Sequence, residues 1–136
     1  MNTGKIIRIH LDGSIPNDNP KFKNKSTVVS STISNVDVFG FDQKDKVAFV
    51  NYLKVINGAI VQTYTMEIKS VLEETKEELL SYAIVDIRQK IKSESRQLLV
   101  PFDPKISLKN ISFSVPERGD KKKLIELSIR NAKFSR

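Results

Sequence analysis

Between Val115 and Ala132 the chain reads VPERGDKKKLIELSIRNA, and the first half of that stretch concentrates groups that bind anions. Arg118 can grip a phosphate through two parallel N–H bonds, and a helix starting beside Gly119 would aim its unpaired amides outward. Lys121, Lys122 and Lys123 then crowd the helix start. The macrodipole is positive there, so each exposed cation is unfavourable by roughly 0.3–1 kcal/mol. A visiting phosphate removes that conflict, and Asp120, the expected N-cap, offsets part of it. Arg130 and Lys133 continue the positive charge along the same helix. Two plainer readings use the same residues: three lysines that keep a surface soluble, or Arg118 paired with Glu117 or Glu126.

Carboxylates form the second set. Phosphodiester cleavage by a pair of Mg²⁺ ions needs several acids that converge. Asp37 lies on an apolar, strand-like segment, Asp103 closes QLLVPFD, Asp42 ends a strand, and Glu77, Glu78 and Asp86 fall in a helical segment. Asp103-Pro104 is also an ordinary turn pair, so these acids are read as surface and turn residues and no metal is assigned. His10 is the sole histidine, which leaves a Ser-His pair without support and His10 itself as a structural residue. The five glycines are scattered, with no phosphate-cradling loop. Phe39, Phe41, Phe49 and Phe113 alternate within strands as core residues do. Tyr52 and Tyr64 are candidates for a stacking role on a sheet surface. No catalytic residue and no cofactor are predicted.

The elements carrying these groups belong to one domain. A length of 136 residues supports a single core, and 39% hydrophobic with 29% charged residues is a globular composition. There is no cysteine, so disulfides and thiolate metal sites are excluded. No apolar run reaches the ~20 residues of a membrane span, and the polar MNTGK start lacks a signal-peptide core. A soluble cytoplasmic protein with no membrane partner is expected. Of the net charge of +7, residues 101–136 hold nine Lys/Arg against four Asp/Glu, whereas residues 1–100 hold fourteen against twelve. That asymmetry suits a polyanionic partner, nucleic acid first, and equally suits a solvated basic surface.

Along the chain, KIIRIHLDGSI is a weak strand ending at Asp12-Gly13, PNDNPKFKNKS (Pro16 to Ser26) is a polar connector, and STVVSSTIS is weak strand or extended lead-in. Residues 1–34 are read as a partly mobile lead-in and 35–136 as the domain. NVDVFGFD (35–42) predicts a strand with Val36 and Val38 on one face and Phe39 and Phe41 on the other. VAFVNYLKV (47–55) is apolar on both faces, which predicts a central strand covered on both sides. Asn57-Gly58 is a hairpin signal, because a type I′ turn needs positive φ at both central residues, and AIVQTYTMEI (59–68) is the return strand. TKEELLSYAIVDIRQKI (75–91) predicts a helix with a Thr75/Glu78 capping box and an inward stripe of Leu80, Ala83, Ile84, Ile87 and Ile91. QLLVPF (97–102) is a strand, DPKISLKN (103–110) a tight connection with room for one helical turn, and ISFSV (111–115) another strand. Residues 120–134 form the last helix, with Leu124, Ile125, Ile129 and Ala132 inward. This β-β-β-α-β-β-α order is the connectivity of ribonuclease H-like folds, here an α/β (α+β) five-stranded mixed sheet, catalytically incomplete. A right-handed crossover would set Leu98–Phe102 beside the first meander strand.

Pro116, Arg118, Gly119, Asp120, Lys121, Leu124, Leu127, Asn131 and Ala132 occupy the places of a P-x-R-G-D/E-K corner followed by L-x-x-L-A-x-x-N-A. This resembles UvrC, a component of the bacterial UvrABC excinuclease, with Ser128 in place of the usual Ala. KSTVVSSTISNVDVFGF (25–41) and VNYLKVINGAIVQTYTMEIK (50–69) are similar to the segment that follows the UvrB-interacting motif in that family. The resemblance runs from about Lys25 to the C-terminus. Residues 1–24 do not look like the helical UvrB-interacting segment. The N-terminal nuclease with paired tyrosine-glycine signatures, the C-terminal nuclease with its D-I-S-H-like strand and the tandem helix-hairpin-helix module are not in the sequence.

The resemblance implies the middle region of an excision-repair nuclease, between the UvrB-interacting motif and the C-terminal nuclease domain. It implies a non-catalytic module in nucleotide excision repair of damaged DNA, with UvrB and other UvrC domains as protein partners. DNA would be met through its backbone at Arg118, Gly119, Lys121, Lys122, Lys123, Arg130 and Lys133, by a monomer. The alternatives are a docking module for UvrB or neighbouring UvrC domains, and a Mg²⁺-dependent nuclease using Asp37 and Asp103.

Overall fold

A computed structural model of the chain describes residues 6–12, 27–28 and 33–135. The connector Pro16–Ser26 lies outside the described residues, as do residues 29–32 of the following segment. The strands are β1 (Ile6–Asp12), β2 (Thr27–Val28), β3 (Val36–Lys44), β4 (Val47–Ile56), β5 (Ala59–Ser70), β6 (Gln97–Leu99) and β7 (Ser112–Ser114). The helices are α1 (Lys76–Ile91) and α2 (Gly119–Phe134).

Two tight turns build the meander. Asp45, at φ 57°, begins the link from β3 to β4, and Asn57 and Gly58, at φ 51° and 75°, make the expected hairpin turn from β4 to β5. The side-chain period of two then sorts the residues onto two faces. Phe39, Ala48, Val50, Tyr52, Tyr64, Met66 and Ile68 pack under α1 with Leu79, Leu80, Ala83, Ile84 and Ile87. Val36, Val38, Leu53, Val55, Ile60 and Leu99 pack under Leu124 and Ile125 of α2. β4 lies between β3 and β5 and is buried on both faces, as apolar residues on both of its sides predict.

The crossovers bring β6 parallel to β3, pairing Leu98 with Asp37 and Leu99 with Val38, and β7 parallel to β6. The expected neighbour of the first meander strand is therefore in place. The five core strands run β5-β4-β3-β6-β7, a mixed sheet with a helix on each face. β1 and β2 both pair antiparallel with the outer edge of β5, which supplies partners along an otherwise open edge. His10 sits in β1 opposite Glu67.

The helix starts differ. At α1 the capping box forms: the Glu78 amide donates to Thr75 Oγ1 at 3.1 Å, and the Thr75 amide donates to Glu78 Oε1 at 2.9 Å. α2 begins one residue earlier than expected. Its N-cap is Arg118, not Asp120, and Asp120 falls inside the first turn. The cause is Gly119, whose φ of 82° lets the chain turn directly from an extended Arg118 into the helix. Two further expectations change. Residues 103–110 contain no helical turn and run irregularly to a bend before Ile111, whose amide donates to the Leu108 carbonyl at 3.1 Å. Leu79 joins the buried stripe of α1, while Ile91 and Ile129 are only half-buried.

One contact fixes α2 on the sheet. A Cβ built on Gly40 of β3 would stand 2.3 Å from the Ser128 carbonyl carbon and 2.4 Å from the Ile129 nitrogen. Only a residue without a side chain admits the helix backbone so close.

Candidate nucleic-acid interface

The start of α2 opens on a cleft of about 570 Å³ lined by Ile33, Ser114, Pro116, Glu117, Arg118, Asp120 and Lys121. Arg118 makes no side-chain cap bond to the helix, so the first-turn amides lack the side-chain acceptor that Thr75 gives α1. No ion pair among the described residues engages Arg118, Lys121, Lys122 or Lys123. The alternative pairing of Arg118 with Glu117 or Glu126 does not form.

The expected basic residues divide into two groups. Arg118 and Lys121 border the cleft alongside Glu117 and Asp120, and Gly119 between Arg118 and Asp120 supplies the turn. Lys123, Arg130 and Lys133 are exposed and fall on one stripe of α2 together with Glu126. At 1.5 Å per residue this stripe extends roughly 15 Å from Lys123 to Lys133. Lys122 is half-buried and borders neither.

Beneath the stripe, a polar cluster joins helix to sheet. Ser128 is fully buried, with Oγ 2.8 Å from the Asn51 carbonyl oxygen and 2.9 Å from Asn51 Oδ1. Asn131 donates to the same Oδ1 at 3.3 Å, and the Asn51 amide donates to Thr63 and Thr65 hydroxyls at 3.1 and 2.9 Å. Ser128 is therefore more than a small replacement for Ala: its hydroxyl satisfies an amide in the central strand. The sequence signal was a lone Asn inside an apolar strand, which demands a partner.

The carboxylates do not converge. Asp37 is fully buried and accepts from Tyr52 Oη at 2.8 Å, Arg88 Nη1 at 2.6 Å and Ser93 Oγ at 2.6 Å. Asp103 accepts from the Lys105 amide at 2.8 Å, a local turn bond. These two acids sit at opposite ends of α1. Asp37 bonds Arg88 in the last turn, whereas Ser81, near the first turn, donates to the carbonyl of Pro104 at 2.8 Å. Among the described residues no three acidic or imidazole side chains gather where an ion could sit. Tyr52 and Tyr64 are buried, not surface platforms. Burial, then the Asp37 charge and the hydrogen bond to it, push the Tyr52 hydroxyl well above its ordinary value, so it stays a donor.

A three-strand meander followed by two parallel strands in this order, with a helix on each face, defines a ribonuclease H-like protein. The family described as UvrC Ribonuclease H-like domain matches residues 35–136. The chain is similar to UvrABC system protein C of Bacteroides fragilis, 51% identical over 113 residues, 82% of this chain and 19% of that protein. It is likewise similar to UvrABC system protein C of Flavobacterium psychrophilum, 43% identical over 115 residues, and of Porphyromonas gingivalis, 41% over 112. Those matches take in 85% and 82% of this chain and 19% of each relative. This chain therefore belongs to the UvrC ribonuclease H-like domain family, and it spans about a fifth of the length of the relatives it matches. No solved structure matches it. No helix among the described residues is long and apolar enough to cross a membrane.

Proposed function

We propose that this chain is a non-catalytic, DNA-contacting scaffold module of a UvrC-type protein acting in nucleotide excision repair. Residues 35–136 are the working domain and 1–34 its lead-in. UvrB and neighbouring UvrC domains are its protein partners, and the setting is cytoplasmic. The observation that carries the reading is the uncapped start of α2, which opens on a cleft bordered by the unpaired cations Arg118 and Lys121. Helix amides and guanidinium together suit a phosphodiester, and the Lys123–Arg130–Lys133 stripe extends the positive surface away from the cleft. Such contacts read the backbone and position the duplex without selecting a sequence. A fully buried Asp37 committed to three donors supports a role without a metal-dependent cutting centre.

The test is the salt dependence of binding to a labelled duplex. Lys121→Ala/Lys122→Ala/Lys123→Ala is expected to weaken binding and lower the slope of log K against log salt by about two, at ~0.9 for each of the contacts made by Lys121 and Lys123. A slope equal to that of the unaltered chain overturns the DNA contact at α2. Capture of UvrB in nuclease-treated buffer, alongside that unchanged slope, would favour the docking role instead.

A further inference from the structure

A second cleft, of about 530 Å³, is bordered by Asn35, Lys54, Lys92, Glu94, Ser95 and Arg96. Three cations face one carboxylate, and they come from three places: β4, the C-cap of α1 and the approach to β6. A helix C-terminus favours a cation, which accounts for Lys92 but for neither Lys54 nor Arg96. No ion pair among the described residues engages any of the three.

The wall carrying Lys92 and Arg96 is tied to the core. Lys92 takes the left-handed conformation at φ 60° and its amide donates to the Arg88 carbonyl at 2.8 Å. Ser93 Oγ donates to buried Asp37 and accepts from the Ser95 amide at 3.2 Å. The Arg96 carbonyl accepts from the Ser112 amide at 2.9 Å. The Asp37 charge under this wall is balanced by Arg88, so it does not cancel the cations above. This backbone is held in place before any ligand arrives, which lowers the ordering cost of binding.

Position links the two clefts. Ile33 borders the first and Asn35 the second, two residues apart and hence within about 7 Å along the chain. Ser34 between them is exposed, as is Asn35. We infer that the Lys54–Lys92–Arg96 cleft is a second phosphodiester seat, so that one nucleic-acid backbone crosses the Ile33–Asn35 segment from the α2 cleft into this one. An acidic peptide fits less well. The only apolar side chain here is half-buried Ile56, which is no anchor pocket of the kind a peptide interface requires. The inference shares with the proposed function the premise that the partner is DNA.

The experiment compares the full chain with Lys54→Gln/Lys92→Gln/Arg96→Gln and with Arg118→Gln/Lys121→Gln. Each is titrated over a salt series with a labelled duplex and a labelled single strand. The second-cleft variant is expected to lose about three units of slope on duplex, at ~0.9 for each of three contacts, and about two on single strand, at ~0.7. A wild-type slope in that variant, beside a reduced slope in the α2 variant, overturns this inference and leaves the proposed function standing. The reverse pattern supports the second seat but removes the α2 contact, and with it overturns the shared path between the clefts. Absence of salt-dependent binding by the unaltered chain overturns both. A polyglutamate peptide that displaces DNA as well as an oligonucleotide of equal charge also overturns the inference, in favour of an acidic protein partner.

Discussion

Glu74 illustrates how a single side chain here stabilises a bend through its charge. Its Oε1 accepts from the Ser70 hydroxyl and from the amides of Val71 and Leu72 at 3.2 and 3.3 Å, closing the turn between β5 and α1. Burial alone would raise its pKa. The Ser70 hydroxyl, its own amide and those of Leu72 and Val71 outweigh that and hold the carboxyl below its ordinary value. A depressed folded value means the ionised form stabilises the fold above the unfolded value, and the contribution disappears as pH falls through the folded one. Glu74→Gln should therefore cost on the order of 1 kcal/mol at neutral pH. The gap between the two proteins in urea unfolding should close as pH drops below about 4.5. A gap that stays constant down to about pH 3 would show that Glu74 acts as an uncharged acceptor.

Among the elements, α2 matters most, because it carries the proposed DNA-facing cations and touches the sheet at its closest point. Gly40→Ala would drive a methyl into the backbone of Ser128 and Ile129, where no rotamer can yield. The expected loss is about 3 kcal/mol, seen as a lower denaturant midpoint with an unchanged m-value. A loss under about 0.5 kcal/mol would mean that the helix rides higher on the sheet. Much at this scale was legible from local pattern: the two faces of β3 and β4, the Asn57-Gly58 turn, the Thr75/Glu78 box and the parallel crossovers. The start of α2 was not. Capping statistics favour Asp120 over Arg118, and Gly119 overrides them through a backbone conformation that composition does not reveal. Tyr52 and Tyr64 misled for a related reason. An aromatic with a polar tip suits a surface or a core, and Asp37, fifteen residues from Tyr52 in sequence, decided the matter for Tyr52.

For the molecule as a whole, the cations proposed to meet DNA lie at two clefts bordering one short segment, Arg118 and Lys121 at the first and Lys54, Lys92 and Arg96 at the second. The first cleft could be read from consecutive residues. The second could not, because Lys54 and Arg96 are forty-two positions apart and meet only through the β3–β6 crossover. Backbone contacts of this kind predict indifference to sequence. Two duplexes of equal length and unrelated sequence should bind within about twofold of each other. A preference above about tenfold, the scale of one base-edge contact, would contradict a backbone-only interface. The pairing of Asp37 with Arg88 has a consequence on the same scale. An acid held inside a sheet needs a compensating ion, and this chain carries its own on a covalent tether. Dilution, chelators and shifts in divalent concentration should therefore leave this buried pair intact.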